Sequence, residues 1–167
     1  MKSFRKLGFE NNEVDEIVFA LNVLLANYQI HYQKLRNFHW NVEGPDFFDV
    51  HEQFEMEYDT VKLRIDEIAE RIRVFDRRPI STLKRYLEVA EIEESHEENV
   101  SAQTMVGEIL SDMETIISFL VEAHEKATEH GDIATQDMMN TYLQHTEKRY
   151  WMLNAFHKTE DEQPVTS

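Results

Sequence analysis

Cysteine is absent from this chain, which excludes disulfides, thiolate catalysis and every zinc or iron-sulfur site built on sulfur. Glycine and proline are scarce, with four and three in 167 residues, so little punctuates the chain and helix is favoured over sheet. No apolar run is long enough to span a bilayer, because the most apolar stretch, IVFALNVLLANY, is short and interrupted by Asn22. The N-terminal MKSFRKLGFENN has basic residues with no apolar segment behind them, so a cytoplasmic protein with no membrane partner is expected. Basic residues are also few. Asp and Glu number 33 against 17 Lys and Arg, a formal charge of -16 that repels phosphate backbones and attracts cations.

What is present reads as one helical domain. Asn11-Asn12 followed by Glu13, Asp15 and Glu16 predict a helix start, and Ile17, Leu21, Leu24, Tyr28, Leu35 and Phe38 carry an apolar face to about residue 40. Gly44-Pro45-Asp46 ends that helix and opens a second over roughly 47–75. A short helix in STLKRYLEVA and a solvated acidic loop follow. Ser101 is expected to cap a third long helix ending near His130-Gly131, and Asp132 a fourth running to about His157. The pattern predicts an all-α four-helix bundle over 13–157, with a short extra helix in the long connection, an N-terminal extension over 1–12 and a loose tail over 158–167. That is the architecture of ferritin-like folds.

The segment FHWNVEGPDFFDVHEQFE, residues 38–55, carries the chemistry. His51 and Glu55 lie four apart on one helix face, as do Asp66 and Glu70. Glu55 and Asp66 are separated by eleven residues, which restores the azimuth but adds about 16 Å along the axis, so one ion cannot join the two pairs. If all four are ligands, an antiparallel copy of the same helix completes each site across a two-fold axis. The Gly-Pro turn brings His39 back toward His51. Imidazole and carboxylate without thiolate suit iron, and manganese or zinc less distinctively. Against this stands a plain alternative, in which an acidic helix carries charges at helical intervals and His39 is a satisfied, partly buried histidine. The single Glu-x-x-His, Glu93 to His96, falls in the acidic loop and reads as solvated.

The segments NFHWNVEGPDFFDVHEQFE, DEIAERI, GDIATQDMM and EKRYWML resemble the Dps family, the mini-ferritins or DNA-binding proteins from starved cells, over about residues 13–157. The resemblance implies a hollow dodecameric shell. It implies an oxidoreductase acting on metal ions, a ferroxidase that oxidises ferrous iron with hydrogen peroxide in preference to oxygen and stores ferric mineral. It assigns His39, His51 and Glu55 of one subunit, with Asp66 and Glu70 of the two-fold mate, to the iron site. Glu55 departs from an Asp common in relatives. Trp40 resembles the tryptophan that intercepts oxidising equivalents beside the site, with core packing as its alternative. EHGDIATQDMM resembles the lining of three-fold pores, which assigns Asp132, Asp137 and Glu129 to iron entry. DNA binding is expected to be weak or absent, because Lys2, Arg5 and Lys6 are soon followed by acids. The alternatives are a nucleoid-protecting DNA binder with little ferroxidase activity and a helical interaction module.

Overall fold

The structure, a computed structural model, describes residues 7–96 and 100–158. Five helices follow one another: α1 (Asn11–Asn41), α2 (Phe47–Val74), α3 (Leu83–Val89), α4 (Ala102–Glu129) and α5 (Ile133–His157), and no strand occurs among the described residues. The expected termini at 1–6 and 159–167, and residues 97–99 of the acidic loop, lie outside the described residues. Within the expected N-terminal extension, Phe9 is buried edge-on against Phe75, so the core begins before α1.

The helix ends follow the capping chemistry of the sequence with two corrections, one at α2, where Asp46 holds the N-cap position but its side chain makes no cap hydrogen bond, and one at α1. Asn11 and Asn12 are inside α1 rather than before it. Glu10 is the N-cap, and its N–H donates to the Glu13 carboxylate at 2.7 Å. Ser101 accepts from Thr104 N–H at 3.1 Å and Asp132 from Thr135 N–H at 3.2 Å, as expected of caps. Gly44 and Gly131 have φ of +100° and +72° at the two corners, a conformation that suits residues without a Cβ.

Side-chain pairs fix the packing directions. His39 meets His51 and Tyr28 meets Arg64, so α1 and α2 are antiparallel. His31 pairs with Asp112 near the start of α4, and Glu16 with Lys126 near its end, so α1 and α4 are antiparallel too. Glu57 with Arg149, Arg64 with Thr146 and Glu67 with Tyr142 run α2 against α5, and Glu114 with Tyr150 runs α4 against α5. Neighbours are antiparallel all round, and the diagonal partners α2 and α4 are therefore parallel. The end of α2 and the start of α4 lie at opposite ends of the bundle, and the connection between them must travel about 40 Å. This is why α3 exists.

Asparagines on α1 hold that connection down. The Asn27 side-chain oxygen accepts from the N–H groups of Glu91 and Ile92, both at 3.0 Å, Asn22 accepts from Ile80 N–H at 2.9 Å, and Asn37 donates to Ser95 O at 3.4 Å. Tyr86 and Ile92 are buried beneath the strap. The core between the helices is filled by Leu21, Leu24, Leu35, Phe54, Ile68, Ile109 and Leu120, all fully buried. Large apolar side chains also face outward in separate places: Phe48 at 81 %, Leu83 at 78 % and Ile133 at 78 % exposure.

Asn27 is itself fully buried, so replacing it removes the acceptor for two backbone donors in the interior. Asn27→Leu is expected to cost about 2–4 kcal/mol of stability. The check is chemical denaturation of wild type and variant at matched protein concentration.

Candidate metal centre at the corner of α1 and α2

His39 lies in the last turn of α1 and His51 in the second turn of α2. The intervening corner stacks their rings, with centroids 3.8 Å apart and planes 18° from parallel. Each ring is also fastened to the other residue's backbone. His39 Nδ1–H donates to the carbonyl of His51, and His51 Nδ1–H donates to the carbonyl of His39, both at 2.8 Å. A carbonyl oxygen only accepts, so the hydrogen of each neutral ring sits on Nδ1 and each Nε2 keeps its lone pair. Glu55, one turn beyond His51, is exposed, while His39 is buried and His51 half-buried. One ligand atom from each of the three lies within 4.8 Å of the others, a spacing that can hold one metal ion. Two neutral imidazoles and a carboxylate form a donor set for a divalent transition metal such as ferrous iron.

Aromatic rings wall the pair. Phe47 stacks on His51 at 4.8 Å and 25°, and Tyr58 meets His39 edge-on at 5.2 Å and 86°. The Tyr58 phenol is pushed up from its ordinary pKa by burial, then by the neighbouring carboxylates of Glu55 and Asp59, so it stays protonated. Trp40 does not pack in the core: its indole is 57 % exposed, with the Arg36 guanidinium 4.9 Å from the ring centroid.

The structure brings together His39, His51 and Glu55 and leaves Asp66 and Glu70 outside the cluster, both exposed on α2. Asp132 is buried. Its Oδ1 accepts from Thr135 N–H and from Arg71 Nη2–H at 2.7 Å, so its capping role comes with an ion pair. Asp137 and Glu129 are exposed. Glu93 and His96 are exposed outside any helix, in keeping with a solvated loop.

Sequence spacing missed three things. Phe47 is four residues before His51, a signal that was present in the sequence. His31 finds its carboxylate 81 residues away: Asp112 accepts from His31 at 3.0 Å and from Lys34 at 2.8 Å in the interior. Glu16, Glu129 and His130 form a second group with ligand atoms within 4.8 Å. Lys126 already bridges its two carboxylates at 3.3 and 3.0 Å. Hydrogen bonds from His130 and Lys126 hold the Glu16 carboxyl below its ordinary pKa.

The sequence and the fold have counterparts among known proteins. The ferritin-like domain family matches residues 19–161. A DNA protection during starvation protein of Brevibacillus brevis is 41 % identical over 140 residues, 84 % of this chain and 93 % of that protein. General stress protein 20U of Bacillus subtilis is 38 % identical over 142 residues, 85 % of this chain and 97 % of its own length. The Dps protein of Vibrio cholerae, described as a member of a broad superfamily of ferritin-like diiron-carboxylate proteins, superposes with a TM-score of 0.87 at 36 % identity. It covers 91 % of this chain and 95 % of its own. Fold and family match together define a ferritin-like protein. Within that class the chain belongs to the Dps family. Among the described residues, no helix is long and apolar enough to cross a membrane.

Ligation requires both Nε2 atoms unprotonated, so metal affinity is expected to fall on acidification. Cobalt(II), followed by its visible absorption in the metal-free protein, should bind near neutral pH and be released as the solution is acidified. His51→Ala should weaken binding at least about tenfold.

Proposed function

We propose that the protein is a ferroxidase and iron-storage protein that binds ferrous iron at the α1–α2 corner, oxidises it and holds the ferric product inside a shell of twelve cytoplasmic copies. The observation that carries this reading is the reciprocal ring-to-carbonyl exchange, which leaves two Nε2 lone pairs beside the Glu55 carboxylate. Asp66 and Glu70 complete the site from the two-fold mate. They are exposed and four residues apart on α2, as an isologous pairing of that helix with its copy requires.

The reaction is 2 Fe²⁺ + H₂O₂ + 2 H⁺ → 2 Fe³⁺ + 2 H₂O. Two ions give one electron each, and the O–O bond breaks to two waters without releasing hydroxyl radical. This chain's residues bind and position the substrate iron. His39 and His51 supply neutral nitrogen donors that hold the arriving ferrous ion, and Glu55, Asp66 and Glu70 supply hard oxygens that favour the ferric product. Trp40, exposed next to His39, is available to donate an electron to stray oxidant. Asp137 and Glu129, with Asp132 at the helix start, concentrate cations at the entry pore.

A second reading has a specific observation behind it, since several relatives are named for DNA protection. The charge of -16 per chain opposes direct binding, and removal of iron and peroxide protects DNA without touching it. No saturable gel retardation is expected near neutral pH, even at low salt.

Stopped-flow oxidation of ferrous iron, driven by anaerobic peroxide or by oxygen, tests the main reading. Wild type should be fast, and faster with peroxide. A His39→Ala, His51→Ala double variant confirmed to assemble should lose at least about tenfold in rate. Equal rates in the two proteins would remove the corner from the chemistry.

A further inference from the structure

The second turn of α2 carries a ligand candidate on a weakly secured helix end. Asp46 is the N-cap by position, but its side chain makes no cap hydrogen bond, and its φ and ψ of -90° and 8° are not those of an extended cap residue. Phe47 N–H reaches Gly44 O at 3.2 Å and Val50 N–H reaches Asp46 O at 3.0 Å. Such an end frays unless side chains pin it.

The reciprocal hydrogen bonds secure the two rings alike: each goes to the other residue's backbone carbonyl at 2.8 Å, so neither is lost when the partner side chain swings. The His51 ring has one hydrogen bond of its own, to His39 O, and two flat contacts, with His39 and with Phe47. Two rings cannot share one face of an imidazole, so His39 and Phe47 take opposite faces and His51 is the middle of a three-ring stack. Phe47 is itself wedged. Its ring is half-buried and meets Phe48 edge-on at 5.3 Å and 81°. A residue four before His51 on the same helix stands over the same face, which is the spacing at which side chains meet.

We propose that Phe47 is a positioning residue that, by stacking on the outer face of His51, holds its Nε2 in the ligating orientation before metal arrives. The proposal rests on the metal reading of the corner but makes a claim about the metal-free protein as well. Planarity is what matters: a flat ring restricts tilt of the imidazole, whereas an aliphatic side chain of similar bulk fills space without restricting it. Phe47 touches no substrate, and its effect passes entirely through His51.

The test uses the assembled protein as wild type, Phe47→Ala, Phe47→Leu and Phe47→Tyr, with His39→Ala as a control. In the metal-free shell, exchange of the histidine C2 hydrogen with deuterium is read by mass spectrometry for each histidine. Cobalt(II) binding is read by its visible absorption. Phe47→Ala should speed exchange at His51 and weaken cobalt binding, each by about three- to tenfold, with His31 in the distant core unchanged. Phe47→Tyr should restore both, and Phe47→Leu should not. Unchanged exchange at His51 in Phe47→Ala overturns the proposal, as does Phe47→Leu behaving like Phe47→Tyr. If Phe47→Ala also speeds His31, the fold has loosened and the Leu and Tyr pair decides in the same way. If wild type takes no cobalt, or His39→Ala takes it equally, the metal reading fails, while the exchange measurement still decides whether Phe47 holds His51.

Discussion

Two backbone carbonyls at one helix corner each hold the other residue's imidazole, and the geometry of the candidate site follows from that exchange. It sets the tautomer of both rings, because a carbonyl demands a hydrogen on the nitrogen that faces it. It sets the stacking distance, because each ring must lie over the other's backbone. It also closes the turn between α1 and α2, so the antiparallel pairing of these helices and the readiness of the two free nitrogens are one event. A corner that opened would lose a helix contact and a ligand pair together.

The rest of the bundle is held by polar bridges as well as by its apolar core. Between α2 and α5 the long side chains of Arg64, Arg149 and Glu67 reach Thr146, Glu57 and Tyr142 across the gap. The burial of Tyr142, and then its hydrogen bond to Glu67, drive that phenol's pKa far upward. Between α1 and α4, Asp112 collects both His31 and Lys34. Buried ionic groups like these contribute little net stability against a well-packed apolar alternative, but an unmatched member is costly. They therefore penalise helix registers in which partners fail to meet.

Much of the fold was legible because helix punctuation is local. Ser101 and Asp132 cap the helices they were expected to cap, and Gly44 and Gly131 mark the corners. The start of α1 was misplaced by two residues because Glu10 and Glu13 form an acidic box that looks, in one dimension, like the first turn after an asparagine cap. Spacing also separated His51 and Glu55 from Asp66 and Glu70. Partners distant in the chain left no periodic trace: Asp112 for His31, Ile92 for Asn27 and Arg71 for Asp132 are set by the way helices cross. Phe47 was missed for a different reason. Its interval to His51 was visible, but an aromatic residue at a helix start reads first as core.

The outward-facing Phe48, Leu83 and Ile133 lie at the start of α2, on the crossover helix and at the start of α5, so no single partner surface would cover them all. Were other copies of the chain to cover them, as the proposed shell requires, subunit concentration would become a thermodynamic variable of the folded state. Dilution would then act as a denaturant, and dissociation would return the same surface to water. Under mass action, the protein's resistance to unfolding would rise with its abundance.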